Sequence, residues 1–167
     1  VYKRQPGGDP ARQMEPFEEG QSVWCRNINR GKQSVVLDLK QKDNLQKLYG
    51  LVEESDIFVE AFRPGVANRL AIDYETLSAI NPRIIYCSIS AFGQDGPLAQ
   101  HPAHDLAVEA FAGFMSVNDK GDGEPVVPAF PAADALASLV ALSGILMALI
   151  GRERTGIGDY LDIAMYD

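Results

Sequence analysis

Asp134 is the one charged residue between Ala132 and Gly151. An isolated carboxylate in apolar surroundings is costly unless it has partners or a task. Two tasks fit its place just after Pro131. It can cap the helix predicted by the apolar run Ala135–Ile150. It can also serve as a nucleophile, because the positive end of a helix dipole holds a carboxylate ionised. The two roles are compatible. The other side chains suited to acid–base or anion chemistry are His101, His104, Arg63 and Arg69. Each has an ordinary alternative: a single His before an Asp is a loop or capping residue, and Arg69 is a surface charge on a short helix. Cys25 and Cys87 are far apart and lack metal-ligand spacing, and the apolar run around Cys87 predicts a buried thiol. No GxGxxG, P-loop or Cys/His constellation appears, so neither a nicotinamide cofactor nor a metal is expected.

The elements that must position these side chains alternate. Ser34–Leu39, Asp56–Glu60 and Arg83–Ile89 read as strands from their β-branched, apolar runs. Asp43–Glu54 reads as an amphipathic helix with Leu45, Leu48, Leu51 and Val52 on one face. A short helix carries Arg69 and Leu70, and Tyr74–Ile80 is a second, stopped by Asn81–Pro82. Asp105–Met115 is predicted helical with Leu106, Ala110, Phe111 and Phe114 inward. Asp119–Glu124 is a charged loop, and Asp159–Met165 is a last strand or helix entry. Trp24 is the large anchor of an otherwise polar stretch from Pro10 to Gln33.

Three strand–helix alternations predict an α/β fold, with a largely parallel sheet flanked by helices. Ligands of such sheets bind beyond the carboxyl ends of the strands. That places Phe62, Arg63, Arg69, His101 and His104 near a site.

The 167 residues suit a single domain, and at 46% hydrophobic they can bury a core. A net charge of -8 argues against a general nucleic-acid binder. It leaves room for an anionic ligand held by a local cluster of Lys and Arg. The N-terminus has no signal-peptide layout. The run Ala135–Ile150 is short for a membrane span and includes Ser138, Ser143 and Gly144, so a buried core helix is expected and no membrane partner. Two unpaired cysteines suit a reducing cytoplasm.

Seven ordered blocks then carry a resemblance: Asn29–Leu39, Asp56–Gly65, Asn81–Pro82, Ser88–Pro97, His104–Leu106, Pro131–Asp134 and Thr155–Gly158. Across essentially its whole length the chain resembles the class III CoA-transferases, the family of formyl-CoA and carnitine CoA-transferases and α-methylacyl-CoA racemase. The resemblance implies a Rossmann-like large-domain core. Residues 1–167 would form a single partial domain, lacking its first strand and the second, smaller domain. It implies coenzyme A or acyl-CoA as substrate, a small carboxylic acid as partner, and an interlocked homodimer.

In the transferases the carboxylate matching Asp134 attacks an acyl-CoA thioester, giving an aspartyl anhydride and then an aspartyl-CoA thioester. Backbone amides at the helix start are expected to stabilise the developing charge. The resemblance further suggests Leu37, Leu39 and Lys40 for the adenosine region, Ala61 and Phe62 along the chain of the ligand, and Arg69 for phosphate. Lys3 and Arg4 match a phosphate region loosely.

His104 stands where transferases carry Tyr, whereas the racemase branch carries His and pairs it with the Asp134 equivalent as acid and base. Ala135-Leu-Ala-Ser138 differs from the Gly-rich run of the racemases, and Pro128–Pro131 and Asp162–Tyr166 resemble the carnitine transferase branch. Transferase is the leading expectation. The alternatives are a racemase using His104 and Asp134, or a catalytically silent CoA-binding piece.

Overall fold

Capping, glycine and proline decide where most elements start and stop. Asp73 accepts the Thr76 amide at 3.0 Å and Asn81 closes the next turn, so the helix between them has the predicted bounds, Tyr74–Ile80. A computed structural model of the chain describes residues 2–4 (backbone alone), 8–117, 121 and 123–167. Lys3 and Arg4 as side chains, and part of the Asp119–Glu124 loop, lie outside the described residues. The chain divides into two units, Val1–Leu51 and Val52–Asp167, each described by itself.

In the first unit, β1 (Tyr2–Arg4) precedes a hairpin of β2 (Phe17–Glu18) and β3 (Gln21–Ser22). Ser22 then caps α1 (Val23–Ile28) by accepting the Cys25 amide at 3.2 Å. β4 (Ser34–Val36) pairs in parallel with β1. It ends earlier than expected, because Asp38 folds the chain into a turn by accepting the Lys40 amide at 3.1 Å. Leu37 and Leu39 are nevertheless buried. Trp24 is not the anchor expected of it: it is about half exposed. The helix α2 (Lys42–Glu53) leads out of this unit.

The second unit holds a three-stranded parallel sheet in the order β5 (Ile57–Glu60), β6 (Ile85–Ser90), β7 (Tyr160–Ala164). Between β5 and β6 lie α3 (Val66–Arg69) and α4 (Tyr74–Ile80). Between β6 and β7 lie α5 (Asp105–Phe111), α6 (Phe114–Val117) and α7 (Ala132–Thr155). β6 is the middle strand, as its apolar sequence predicts: Ile85, Tyr86, Cys87 and Ser88 are at most 1% exposed. Around it Val52, Ile72, Leu77, Ile84 and Val108 complete the core. The parallel sheet flanked by helices is the expected fold class.

Three expectations change. The predicted helix Asp105–Met115 breaks at Gly113, whose φ of 76° is left-handed, into α5 and α6. Its buried face is Val108 and Glu109, not Leu106, Phe111 and Phe114, which are exposed. The helix α7 is not a buried core helix in this chain. It lays a stripe of small residues, Ala133, Ala137 and Ala141, inward; Leu136, Leu139, Val140, Met147 and Ile150 stand exposed on the other faces. Hydropathy identifies an apolar helix but does not say which face is covered. By length and composition alone α7 is also long and apolar enough to cross a membrane.

The C-terminal end of α7 is pinned to the sheet. Arg152 is buried and donates to Asp56 Oδ1 at 2.8 Å and to the Arg83 carbonyl at 2.9 Å. Gly158 then brings β7 alongside β6, where any Cβ would lie 1.9 Å from the Ile84 oxygen. These contacts hold the C-terminal end of α7 against the sheet.

Candidate active site

The helix α7 begins at Ala132 with Pro131 as its N-cap, and Pro131 offers no side-chain cap. Asp134 is therefore the third residue of the helix and does not cap it, which corrects the capping expectation. The caps come from the neighbouring helix. Glu109 Oε1 accepts the Ala132 amide at 2.7 Å, and Asp105 Oδ1 accepts the Asp134 amide at 2.8 Å. These two amides are thus already engaged, so they are not the oxyanion donors expected of the helix start.

Asp134 stands on the wall of a cavity of about 530 Å³. The cavity lies beyond the carboxyl ends of β5 and β6, as a parallel sheet predicts. It is lined by the turn Ala61–Pro64, by Ile89–Ala91 at the end of β6, and by His101–His104 leading into α5. His104 is the N-cap residue of α5, and its carbonyl accepts the Ala107 and Val108 amides while its side chain makes no capping bond. The imidazole is exposed and shares the cavity with Asp134.

The Asp134 carboxyl pKa lies above the ordinary 3.8. Partial burial is the first cause and the negative charge of Asp105 the next; His104 pulls the other way, and Glu109 adds a smaller push upward. The helix dipole alone predicts a firmly ionised carboxylate. Burial and the neighbouring acids act in the opposite direction.

The structure brings together Ala61, Phe62, His104 and Asp134, along with Arg63 and His101. Arg69 is the last residue of α3, exposed and outside this lining. Its guanidinium lies over Gly65, where an added Cβ would sit 3.6 Å from Nη1. Leu37, Leu39 and Lys40 belong to the first unit: the two leucines are buried and Lys40 is exposed. That unit has a larger cleft of its own, about 680 Å³, lined by Arg12, Arg26, Arg30 and Lys32. Its cations suit an anion, and no Asp or Glu is among its described lining residues. Among the described residues no His/Cys/Asp/Glu group is arranged to hold a metal. Burial pushes the Cys87 thiol up to about 11, which makes it a poor nucleophile at neutral pH.

Sequence reasoning missed Glu60. It ends β5 and is 7% exposed. Its Oε2 accepts the Phe62 amide at 2.7 Å, and its Oε1 is bonded to the Ser88 hydroxyl. Gln94 joins the same network, donating its side-chain amide to Ser88 Oγ and its backbone amide to Asp162 Oδ2, both at 2.8 Å. Glu60 thereby holds the Ala61–Phe62 turn in shape. Burial raises its pKa above the ordinary 4.5, against the hydrogen bonds from Ser88 and Phe62. A raised carboxyl pKa means that folding favours the protonated form. This contribution is full at low pH and is lost as pH rises through the raised value. The Glu60→Gln variant keeps an acceptor and a donor but cannot ionise. Its urea midpoint, compared between pH 4.5 and 8, is expected to lose the part of the wild-type decline that Glu60 causes. An identical decline in both proteins would contradict this account.

The chain belongs to CoA-transferase family III, whose family model matches residues 4–167. It is 43% identical to the acetyl-CoA:oxalate CoA-transferase of Acetobacter aceti over 164 residues, covering 97% of this chain and 42% of that protein. It is 36% identical to the succinate–glutarate CoA-transferase of Agrobacterium fabrum over 168 residues, covering 96% of this chain and 42% of that one. The crystal structure of a CaiB/BaiF family protein from Brucella suis superposes with a TM-score of 0.93 at 35% identity, covering 99% of this chain and 45% of that one. The chain thus spans less than half the length of the relatives it matches.

Proposed function

We propose that the full-length protein moves CoA from an acyl-CoA thioester to a carboxylic acid, using Asp134 as the acyl-accepting nucleophile. The observation that carries this reading is the place of Asp134, at the start of α7 on a cavity wall shared with the Ala61–Phe62 turn. A carboxylate nucleophile divides one hard acyl transfer into easier steps. An Asp134 oxygen attacks the thioester carbonyl carbon; the C–S bond breaks and the thiolate leaves with its electron pair. The thiolate then attacks the aspartyl carbonyl of the anhydride and releases the donor acid as its carboxylate. The acceptor carboxylate attacks the aspartyl thioester and expels the thiolate, forming a second anhydride; the thiolate then attacks the acceptor's carbonyl in that anhydride, and the Asp134 carboxylate leaves.

In this reading residues 1–167 form part of the large domain. Ala61, Phe62 and His104 line the path of the pantetheine chain, and Arg69 meets phosphate. The acceptors named for the two relatives, oxalate and glutarate, are short dicarboxylates, and such acids are the first to try here. The exposed leucine-rich face of α7 supports a protein-covered surface in the whole molecule, as a homodimer requires. The two free cysteines suit a cytoplasmic setting.

His104 beside Asp134 supports a second reading, acid–base racemisation at the α-carbon of an acyl-CoA. One experiment separates the two. The full-length protein is incubated in heavy water with acyl-CoAs and short dicarboxylates, and both protein and substrates are read by mass spectrometry. An acyl or CoA adduct on the peptide holding Asp134, without deuterium at the substrate α-carbon, is the expected result. Deuterium at the α-carbon with no adduct would overturn it in favour of the racemase.

A further inference from the structure

The first turn of α7 is held in an unusual way for so apolar a helix. A helix start needs acceptors for its first amides, and one Ser, Thr, Asn or Asp at the N-cap ordinarily supplies one. Pro131 supplies none from its side chain. Two carboxylates from α5 reach across instead, Glu109 to the Ala132 amide and Asp105 to the Asp134 amide. Asp105 and Glu109 are four residues apart and so lie on one face of α5. Glu109 is 3% exposed, and its Oε2 is buried without a hydrogen-bond partner. A hydroxyl would satisfy an amide without burying charge. What two carboxylates add is negative charge beside Asp134.

Among the described residues, the charged and titratable groups near Asp134 are Asp105 and Glu109 from α5, His104 at its N-cap, and Arg63 and His101 on the cavity wall. Asp105 is the closest coupled of the acids, because it holds the backbone of Asp134 itself. We infer that Asp105 is a positioning residue for Asp134: it fixes the first turn of α7 through the Asp134 amide and sets a carboxylate beside the reacting one. Glu109 braces the same turn from behind. Basicity matters because a more basic carboxylate is a better nucleophile toward a thioester carbonyl. The upward displacement of the Asp134 carboxyl, with Asp105 second only to burial among its causes, agrees with this geometry.

The inference rests on the reading of Asp134 as the reacting carboxylate. It is tested in the full-length protein with Asp105→Asn and Asp105→Ser. Both keep an oxygen that can accept the Asp134 amide, and both remove the charge. The expected result is an acid limb of kcat/KM displaced to lower pH, by about half a unit or more. The plateau kcat falls several-fold and KM for acyl-CoA barely changes. A purely structural cap would leave the pH profile where it was. If either folded variant follows the wild-type pH curve, the inference fails. An Asp134→Ala protein that still turns over would mean instead that the underlying reading of Asp134 has failed. A dead Asp134→Ala beside an unmoved Asp105→Asn profile condemns the inference alone.

Discussion

Replacing Asp134 with Ala in the full-length protein abolishes CoA transfer while leaving CoA binding nearly intact. The expected loss in kcat is about 10⁴-fold or more, the scale seen when a nucleophile is removed from a covalent mechanism. The fold has little reason to fail. Asp134 is exposed, Ala is the best helix former, and the backbone bond from residue 134 to Asp105 survives the change. Removing a negative charge from the protein does not weaken the binding of a polyanion such as CoA. Asp134→Asn is the stricter control, because it preserves the shape and a polar head while removing the charge and with it the nucleophile. Both variants should bind CoA within about threefold of wild type by calorimetry, a difference of under 1 kcal/mol. In the wild type, activity should rise with pH through a carboxyl pKa above the ordinary 3.8, because only the ionised form attacks. Unimpaired turnover in either variant would sink the assignment of the nucleophile.

The sequence carried the fold further than it carried the site. The middle strand was legible because β6 is apolar on both faces, and α4 because Asp73 and Asn81–Pro82 mark both of its ends. The helical character of α7 was equally plain. Its burial was not, since an alanine stripe and a leucine face have the same mean hydropathy whichever is covered. Asp134 stood out as a candidate from its isolation and from the family blocks, but its position in the helix was not legible. A proline before an apolar run does not tell whether the helix starts at the proline or at the next acid. Asp105 and Glu109 look like solvated charges on a short helix, and only the packing of α5 against the start of α7 reveals them as caps. The one available signal was their four-residue spacing. Glu60 was hidden for a similar reason: a carboxylate ending a strand reads as exposed until Ser88 and the Phe62 amide are found around it.

Arg69→Ala is expected to separate binding from chemistry. Arg69 is exposed at the end of a four-residue helix, so its removal should change stability by no more than about 0.5 kcal/mol. A guanidinium paired with phosphate contributes about 1.5–3 kcal/mol, so KM for acyl-CoA should rise roughly 10- to 150-fold. The placement of Arg69 away from the Asp134 cavity fits such a division. CoA is an extended molecule, with its phosphates remote from its thioester, and the turn at Gly65 separates Arg69 from the cavity-lining Ala61 and Phe62. With kcat little changed, the loss falls on binding made equally in ground and transition states. Salt supplies a second readout: raising ionic strength should weaken wild-type binding and narrow its advantage over the variant, since an exposed ion pair is screened. Arg69→Lys should recover part of the affinity, because it restores the charge without the paired donors. An unchanged CoA affinity in Arg69→Ala would remove the phosphate role and return Arg69 to the surface charge that its sequence context also allows. Asp134 would keep its assignment in that case, because the nucleophile rests on the cavity wall and the start of α7, and neither includes Arg69.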